Sequence, residues 1–413
     1  MVLSTIFITL VFLYSLVSRR LERTVITAPI VFTAVGLVIS LTPHWVSGLG
    51  LDRKALLLTA EIGLVMTLFT DAAHIDRSVL KGNRNLPIRL LSTGMLLTIL
   101  LGAVGALVVI RGLSLWEACI LAAIVAPTDA GLGQLIVNSK QVPLRIRQAL
   151  NVEAGLNDGL AVPFLMLFIA LAMETTEGAG VVLSRLLVEQ LGYGVLVGLG
   201  IGSAGGWLLG AAERRNWVAG RLRQLGLVTL PLLCVIASEA SGASMFIAAF
   251  VAGLAVQIGF VDAGKHSAEF AEEWGQFFNF FVFFLFGLLV APVIISFTSR
   301  LLLYAVLSLT LVRMIPVTLA LAGTGLSRPT VLFMGWFGPR GLASIVLGLV
   351  YLELQANVPG ESMIRLAVMA TVLLSIFAHG LSALPGIAFY ARKITSLDPA
   401  APEYQAIPEQ PAG

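Results

Sequence analysis

The 413-residue sequence predicts an all-α polytopic membrane protein of about 13 transmembrane helices, built as two inverted repeats with two broken crossing helices. Three observations carry this prediction. Hydrophobic residues make up 58% of the chain and charged residues 12%, against roughly 45–50% and about 25% in soluble domains. Apolar runs long enough to cross a bilayer, roughly 17–25 residues each, recur along the whole chain. Two of these runs are interrupted midway by Pro and Gly beside a charged residue, the pattern of a discontinuous membrane helix. The same composition excludes a disordered, collagen-like or disulfide-stapled chain. Cys119 and Cys234 lie in apolar runs and read as small buried hydrophobes.

The expected spans fall near residues 2–18, 25–42, 55–72, 88–110, 115–137, 148–173, 186–211, 224–240, 243–260, 274–297, 301–322, 329–354 and 363–390. Of the 26 Lys and Arg residues, 18 lie in loops following odd-numbered spans, 6 follow even-numbered ones, and Arg313 and Arg340 lie within spans. Basic residues gather in cytoplasmic loops. That bias puts the C-terminus in the cytoplasm and the N-terminus outside, and it accounts for the net charge of +3 without nucleic acid. Span one has no small-residue cleavage site, and its basic cluster (Arg19, Arg20, Arg23) follows the apolar run. It is expected to be a retained helix rather than a signal peptide. Short loops and a compact length suit the plasma membrane of a bacterium or archaeon. The Pro-rich tail after Lys393 is expected to be disordered.

Ionisable groups within spans mark candidate functional positions, because burying them in a bilayer is costly. The deep ones are Asp129, Glu153, Asp158, Arg313 and Arg340. Span five contains Ala126-Pro127-Thr128-Asp129 followed by Gly131 and Gly133, so its helix should break near Thr128-Asp129. Span twelve contains Gly338-Pro339-Arg340-Gly341 and should break likewise. If spans 1–6 and 8–13 are the repeats, with span seven between them, the two breaks correspond. Span six carries Glu153, Asn157 and Asp158 within two turns. Glu153 and Asn157 share one face, and Asp158 lies about 100° further round. Such a face must meet the bundle interior. The five deep charges sum to −1, leaving one carboxylate to be neutralised by a proton or by one monovalent cation. A site that holds one or the other is an exchange site.

At these residues the chain resembles the cation:proton antiporter family, in particular its NhaP-type sodium/proton antiporters. The likeness rests on Thr128-Asp129, on Glu153 through Asn157-Asp158, and on Gly338-Pro339-Arg340-Gly341, in that order over nearly the whole chain. It implies Na+/H+ exchange by alternating access, with Asp158 binding cation and proton in competition, and a role in pH homeostasis. Asp129 and Thr128 would complete an oxygen shell for Na+. Glu153 would pair with Arg340 and hold Asn157. Asn157, where electrogenic relatives carry a second Asp, implies electroneutral one-for-one exchange. Asp71 matches an acidic position facing the ion path, and Arg313 matches an arginine with a structural role.

The resemblance also implies a homodimer. Residues 1–87 and 224–300 would form a dimerisation domain, 88–185 and 301–392 a core ion-binding domain, 186–223 a linker helix, and 393–413 the tail. No cofactor is expected beyond the transported ions. Two positions depart from the family. Ala130 replaces a common Pro, and Ala154 replaces a common Ser whose hydroxyl sits one turn before Asp158. A water is expected to fill the place of that hydroxyl.

Rival readings fit less of the sequence. Gly242-Ala243-Ser244 and Ala378-His379-Gly380 superficially match the Ser and His sites of rhomboid intramembrane proteases. Met245 stands where the second Gly belongs, and the span-six cluster is left without a role. No phosphate-cradling loop occurs, which disfavours ATP-driven transport. An organic-anion carrier conflicts with the negative deep site. K+/H+ exchange on the same fold remains the alternative.

Overall fold

The computed structural model describes residues 2–21, 24–41, 53–73, 85–173, 184, 186–260, 268–354, 358–398 and 400–405. Among these residues every regular element is a helix. Ten helices are long and apolar enough to cross a membrane. Three shorter apolar helices, Ala28–Ser40, Met245–Val256 and Leu342–Glu353, take the places of spans two and nine and of the second half of span twelve. Large apolar side chains such as Leu16, Val108, Leu196, Ile236 and Ile295 face outward, as a hydrocarbon solvent requires. Of the basic loop residues that set the expected orientation, Arg23, Arg77, Lys81, Arg84, Arg185 and Lys265 lie outside the described residues.

Local sequence explains where the helices start, stop and break. Spans one to three are α1 (Val2–Leu21), α2 (Ala28–Ser40) and α3 (Arg53–Ala73). Span four is α4 (Asn85–Val109), with a π turn at Leu90–Gly94. Span five is two half-helices, α5 (Leu115–Val125) and α6 (Ala130–Val137). A capping box starts α5: the Ser114 N–H donates to Glu117 Oε2 (2.7 Å), and the Glu117 N–H donates to Ser114 Oγ (3.3 Å). Pro127 cannot continue that helix, and Asp129 restarts the chain as the N-cap of α6. Span six is α7 (Leu144–Ala172), 29 residues with Pro163 inside it.

Span seven is α8 (Tyr193–Arg214), preceded by π turns at Leu186–Gly192. It lies against α9 (Gly220–Ser241) and α10 (Met245–Val256). Gly198, Gly202, Gly206 and Gly210 form a ridge on it. A Cβ at any of them would meet a backbone carbonyl of Ala248, Ala252, Val256 or Gly259, so the two backbones touch directly. Span ten is α11 (Ala268–Val290), and span eleven is α12 (Ser299–Leu309) and α13 (Leu311–Ala320), kinked at Thr310. Span twelve is α14 (Arg328–Trp336) and α15 (Leu342–Glu353), and span thirteen is α16 (Glu361–Ile394).

Two sets of helices pack chiefly among themselves. One joins α2 with α11, α3 with α10 and α11, and α8 with α9 and α10. The other joins α5 with α4, α7 and α16, and α16 with α12. They meet where α3 touches α7 and α15.

One expectation is corrected. The tail is expected to be disordered from residue 393, but its described residues, 393–398 and 400–405, are ordered, with a 3-10 turn at Pro402–Tyr404. Its composition is polar and Pro-rich, yet Glu403 is fully buried among hydrogen-bond donors. The end of the expected tail, residues 406–413, lies outside the described residues.

Candidate functional site

The two breaks meet inside the bundle. The Asp129 N–H donates to the Pro339 carbonyl (2.7 Å), locking one interrupted segment to the other. The Asp129 carboxylate then caps two half-helices at once. Oδ1 accepts the Leu132 N–H of α6 (2.9 Å), and Oδ2 accepts the Leu342 N–H of α15. Both helix ends carry partial positive charge and orphan N–H groups, so one buried carboxylate stabilises both. Each oxygen keeps acceptor capacity for a further ligand.

Arg340 serves the opposite pole. Its Nη1 donates to the carbonyls of Ala126 and Pro127 (3.1 Å to the latter), capping the C-terminal end of α5 where carbonyls lack helical partners. Its backbone N–H donates to Ser375 Oγ (2.6 Å), and that hydroxyl also meets His379 Nδ1 (3.0 Å). Arg340→Gln should therefore lower stability by roughly 1–3 kcal/mol, the cost of stranding buried carbonyls. Thermal unfolding in detergent checks this, and an unchanged midpoint would refute the capping role.

The expected pairing of Glu153 with Arg340 is corrected. Glu153 makes a two-pronged ion pair with Arg313 instead, Nη1 to Oε1 at 2.5 Å and Nη2 to Oε2 at 2.8 Å. All three residues are buried. The reason is direction: Arg340 aims its Nη1 at the α5 carbonyls, while Arg313 presents both of its terminal nitrogens to the Glu153 carboxylate. Arg313 reaches Glu153 by passing over Gly338, where any Cβ would collide with the guanidinium. Nor does Glu153 hold Asn157. The Asn157 Nδ2 donates to Thr128 Oγ1 (2.7 Å), fastening α7 to the span-five break.

These assignments leave Asp158 distinct. Glu153 and Arg313 cancel, Asp129 faces two helix N-termini, and Arg340 faces a C-terminus. Asp158 is buried, and its Oδ1 has no hydrogen-bond partner among the described residues. It lies at the inner end of a cavity of about 500 Å³ lined also by Asp71 and Asp129. Asp71 packs against Gly155, where a Cβ would sit 3.1 Å from its own. A second cavity of about 900 Å³ shares Asp129, Gln134, Asn138, Gln276 and Asn279 with the first. Gln134, Asn138 and Asn151 are exposed while Asp129 and Asp158 are buried, so the cavity opens to solvent at its amide-lined end and narrows to the carboxylates.

Beside Ala154 lies a small void of about 20 Å³, bordered by Thr128, Asp129 and Glu153. It has room and partners for one water, the group that would replace the missing Ser hydroxyl. Gly341 has no such slack, because a Cβ there would overlap Asp129 Oδ2. Gly341→Ala should displace that carboxylate at a cost of about 1–3 kcal/mol. The check is thermal unfolding in detergent, and an unchanged midpoint would refute the tight fit.

The six carboxamides of the cavity were not singled out in the sequence. Gln148, Asn151 and Asp158 follow helical spacing on α7, Gln134 and the C-cap residue Asn138 do so along α6 and its end, and Gln276 and Asn279 on α11. That periodicity was the signal available. Asn279 is explained by the cavity and by Thr67, whose hydroxyl donates to its Oδ1 (3.2 Å). The residues of the protease-like motif have other partners: Ser244 Oγ caps the Ile247 N–H (3.5 Å), and His379 bonds within its own helix.

Two interrupted helices crossing beside a buried carboxylate, at the end of a solvent-open cavity, define the architecture of a secondary transporter. The chain belongs to the family described as sodium/hydrogen exchanger, transmembrane, whose model matches residues 6–386. Na(+)/H(+) antiporter 2 of Zygosaccharomyces rouxii is 26% identical over 260 residues, covering 58% of this chain and 31% of the relative. K(+)/H(+) antiporter NhaP2 of Shewanella sp. strain ANA-3 is 25% identical over 270 residues, covering 64% of this chain and 46% of the relative. The chain thus spans less than half the length of these relatives. The fold is similar to that of the sodium proton antiporter MjNhaP1 from Methanocaldococcus jannaschii, with a TM-score of 0.74 at 20% identity over 95% of this chain and 98% of the other.

Proposed function

We propose that this protein is a secondary active antiporter that exchanges Na+, or Li+, for H+ one for one, with Asp158 holding either ion in turn. The observation that carries this reading is the isolation of Asp158. Among the deep charges it alone has neither a matched guanidinium nor a helix terminus, and it borders a cavity open to solvent. Asp129 and Thr128 would supply further oxygens, and Asp71 would line the approach. Asn157, bonded to Thr128, would keep the span-six helix in register with the break.

The core, spans 4–6 and 11–13, would rock against spans 1–3 and 8–10 and carry the loaded site past the barrier. The second set would also form a homodimer in a plasma membrane, with the C-terminus in the cytoplasm. An unneutralised buried carboxylate resists desolvation, so only the H+- or cation-loaded core would cross. Shared occupancy of one carboxylate means that acidification should raise the apparent KM for the cation and leave the maximal rate unchanged. A fall in maximal rate at constant KM would count against competition.

The relatives named K(+)/H(+) antiporter and the absence of a hydroxyl at Ala154 favour K+/H+ exchange as the second reading. Both are tested by proton flux in proteoliposomes loaded with a pH dye and challenged in turn with Na+, Li+ and K+. A response to Na+ or Li+ supports the first reading, a response to K+ alone the second, and none at all removes both.

A further inference from the structure

Half-helix α14 begins with an unusual cap. Its N-cap residue, Ser327, makes no side-chain bond to the helix backbone. A capping box would need Glu or Gln at position 330, reaching back to the Ser327 N–H. Thr330 stands there instead, and the carboxylate arrives from the far end of the chain. Glu403 Oε1 accepts the Ser327 N–H (2.8 Å) and the Thr330 hydroxyl (2.8 Å). Arg145, in the first turn of α7, donates from Nη1 to the Pro402 carbonyl (2.5 Å) and to Gln405 Oε1 (2.7 Å). Gly325, at φ +75°, gives Pro402 its seat, because a Cβ there would lie 3.2 Å from the proline ring. The Tyr404 hydroxyl closes the turn on the Ile394 carbonyl (3.0 Å).

The contacts continue inward. Thr330 also meets the Tyr390 hydroxyl (3.0 Å), and the Tyr390 ring stacks on Phe333, 4.2 Å between centroids. Nine residues of helix, about 13 Å at roughly 1.5 Å each, then lead from Glu403 to the break that holds Asp129 and Arg340.

We propose that residues 400–405 form a latch in which Glu403 is a positioning residue for ion exchange, fixing α14 against α7 and thereby the geometry of the break at Gly338–Gly341. The inference rests on the antiport reading only for its kinetic consequence. Burial alone would push the Glu403 carboxyl up, but the Ser327 N–H and the Ser327 and Thr330 hydroxyls outweigh it and hold the carboxyl below its usual range. The cap is therefore present above the ordinary carboxylate range and is lost only as pH falls through the depressed value. Among the described residues, Arg145 and Tyr390 are the titratable groups facing it, and Tyr404 in turn faces Tyr390. At neutral pH the latch stays closed.

The test uses the full-length protein in detergent, comparing wild type, Glu403→Ala, and Glu403→Ala combined with Thr330→Glu, which restores a capping box within α14. Amide hydrogen exchange in Glu403→Ala should accelerate roughly five- to ten-fold, the value of one cap, in residues 328–342 and 130–133 and not in the other helices. Thr330→Glu should restore protection. In proteoliposomes the apparent KM for the cation should rise by a similar factor at unchanged maximal rate. Unchanged exchange, a change confined to residues 400–405, uniform acceleration across all helices, or an unchanged KM would each overturn the proposal. If wild type moves no cation, the antiport reading fails, and the exchange pattern alone decides the latch.

Discussion

Asp158→Asn should abolish the proposed cation-driven proton flux and leave the protein folded, the largest functional effect expected of any single substitution. Asn matches Asp in size but can neither release a proton nor offer a negative charge to a cation. Stability should hold or rise slightly, because the change removes a buried carboxylate whose Oδ1 has no partner to lose. The pair of measurements is flux in dye-loaded proteoliposomes and thermal unfolding of the same preparation. Substantial exchange by the variant would move the ion site elsewhere, with Asp71 and Asp129 the remaining carboxylates on the cavity.

Glu153→Gln has the largest expected effect on stability. It strands the Arg313 guanidinium, which is buried and relies on both Glu153 oxygens. Removing one partner of a buried pair costs about 3–5 kcal/mol. Replacing both charges removes the stranded group as well, so Glu153→Gln with Arg313→Met should recover most of the loss. Thermal unfolding of the two single variants and the double variant forms a cycle. Simple additivity would mean that the pair is not coupled. If Glu153 relied on Arg340 instead, the recovery would appear with an Arg340 partner and not with Arg313.

Much of the architecture was legible because a bilayer leaves a chain few options. Apolar runs have to be helices, and a Pro-Thr-Asp or Gly-Pro-Arg-Gly sequence inside one has to be a break that buries its polar groups in protein. Asp129, Asp158 and Arg340 stood out on those grounds, and they do lie at or beside the crossing. The partner of Glu153 was not legible. Helical spacing fixes which residues share a face, but it says nothing about which of two arginines on other helices comes within reach. That choice depends on Arg340 turning back to the α5 carbonyls and on Gly338 leaving room for Arg313.

The carboxamides of the cavity were missed for an energetic reason. A neutral amide is tolerated in a membrane helix far more cheaply than a charge, so single Asn and Gln residues do not call for explanation until three helices are seen to point them into one space. The tail failed in the opposite direction. Its composition suits a solvated strand, yet the turn around Glu403 and the adjoining Gln405 carry bonds that seat it.

The way charge is matched at the crossing bears on how membrane voltage would act on the protein. Moving one elementary charge across 100 mV is worth about 2.3 kcal/mol. Asp129, Glu153, Asp158, Arg313 and Arg340 together carry one surplus negative charge. A bound proton or a bound monovalent cation brings that sum to zero. Both loaded forms would then cross without electrical work, and a cell could not speed or stall exchange by polarising its membrane. Only the empty carrier would feel the field. A resting potential would thus bear on futile return of the bare site, while the concentration gradients of the two ions alone would set the direction of transport.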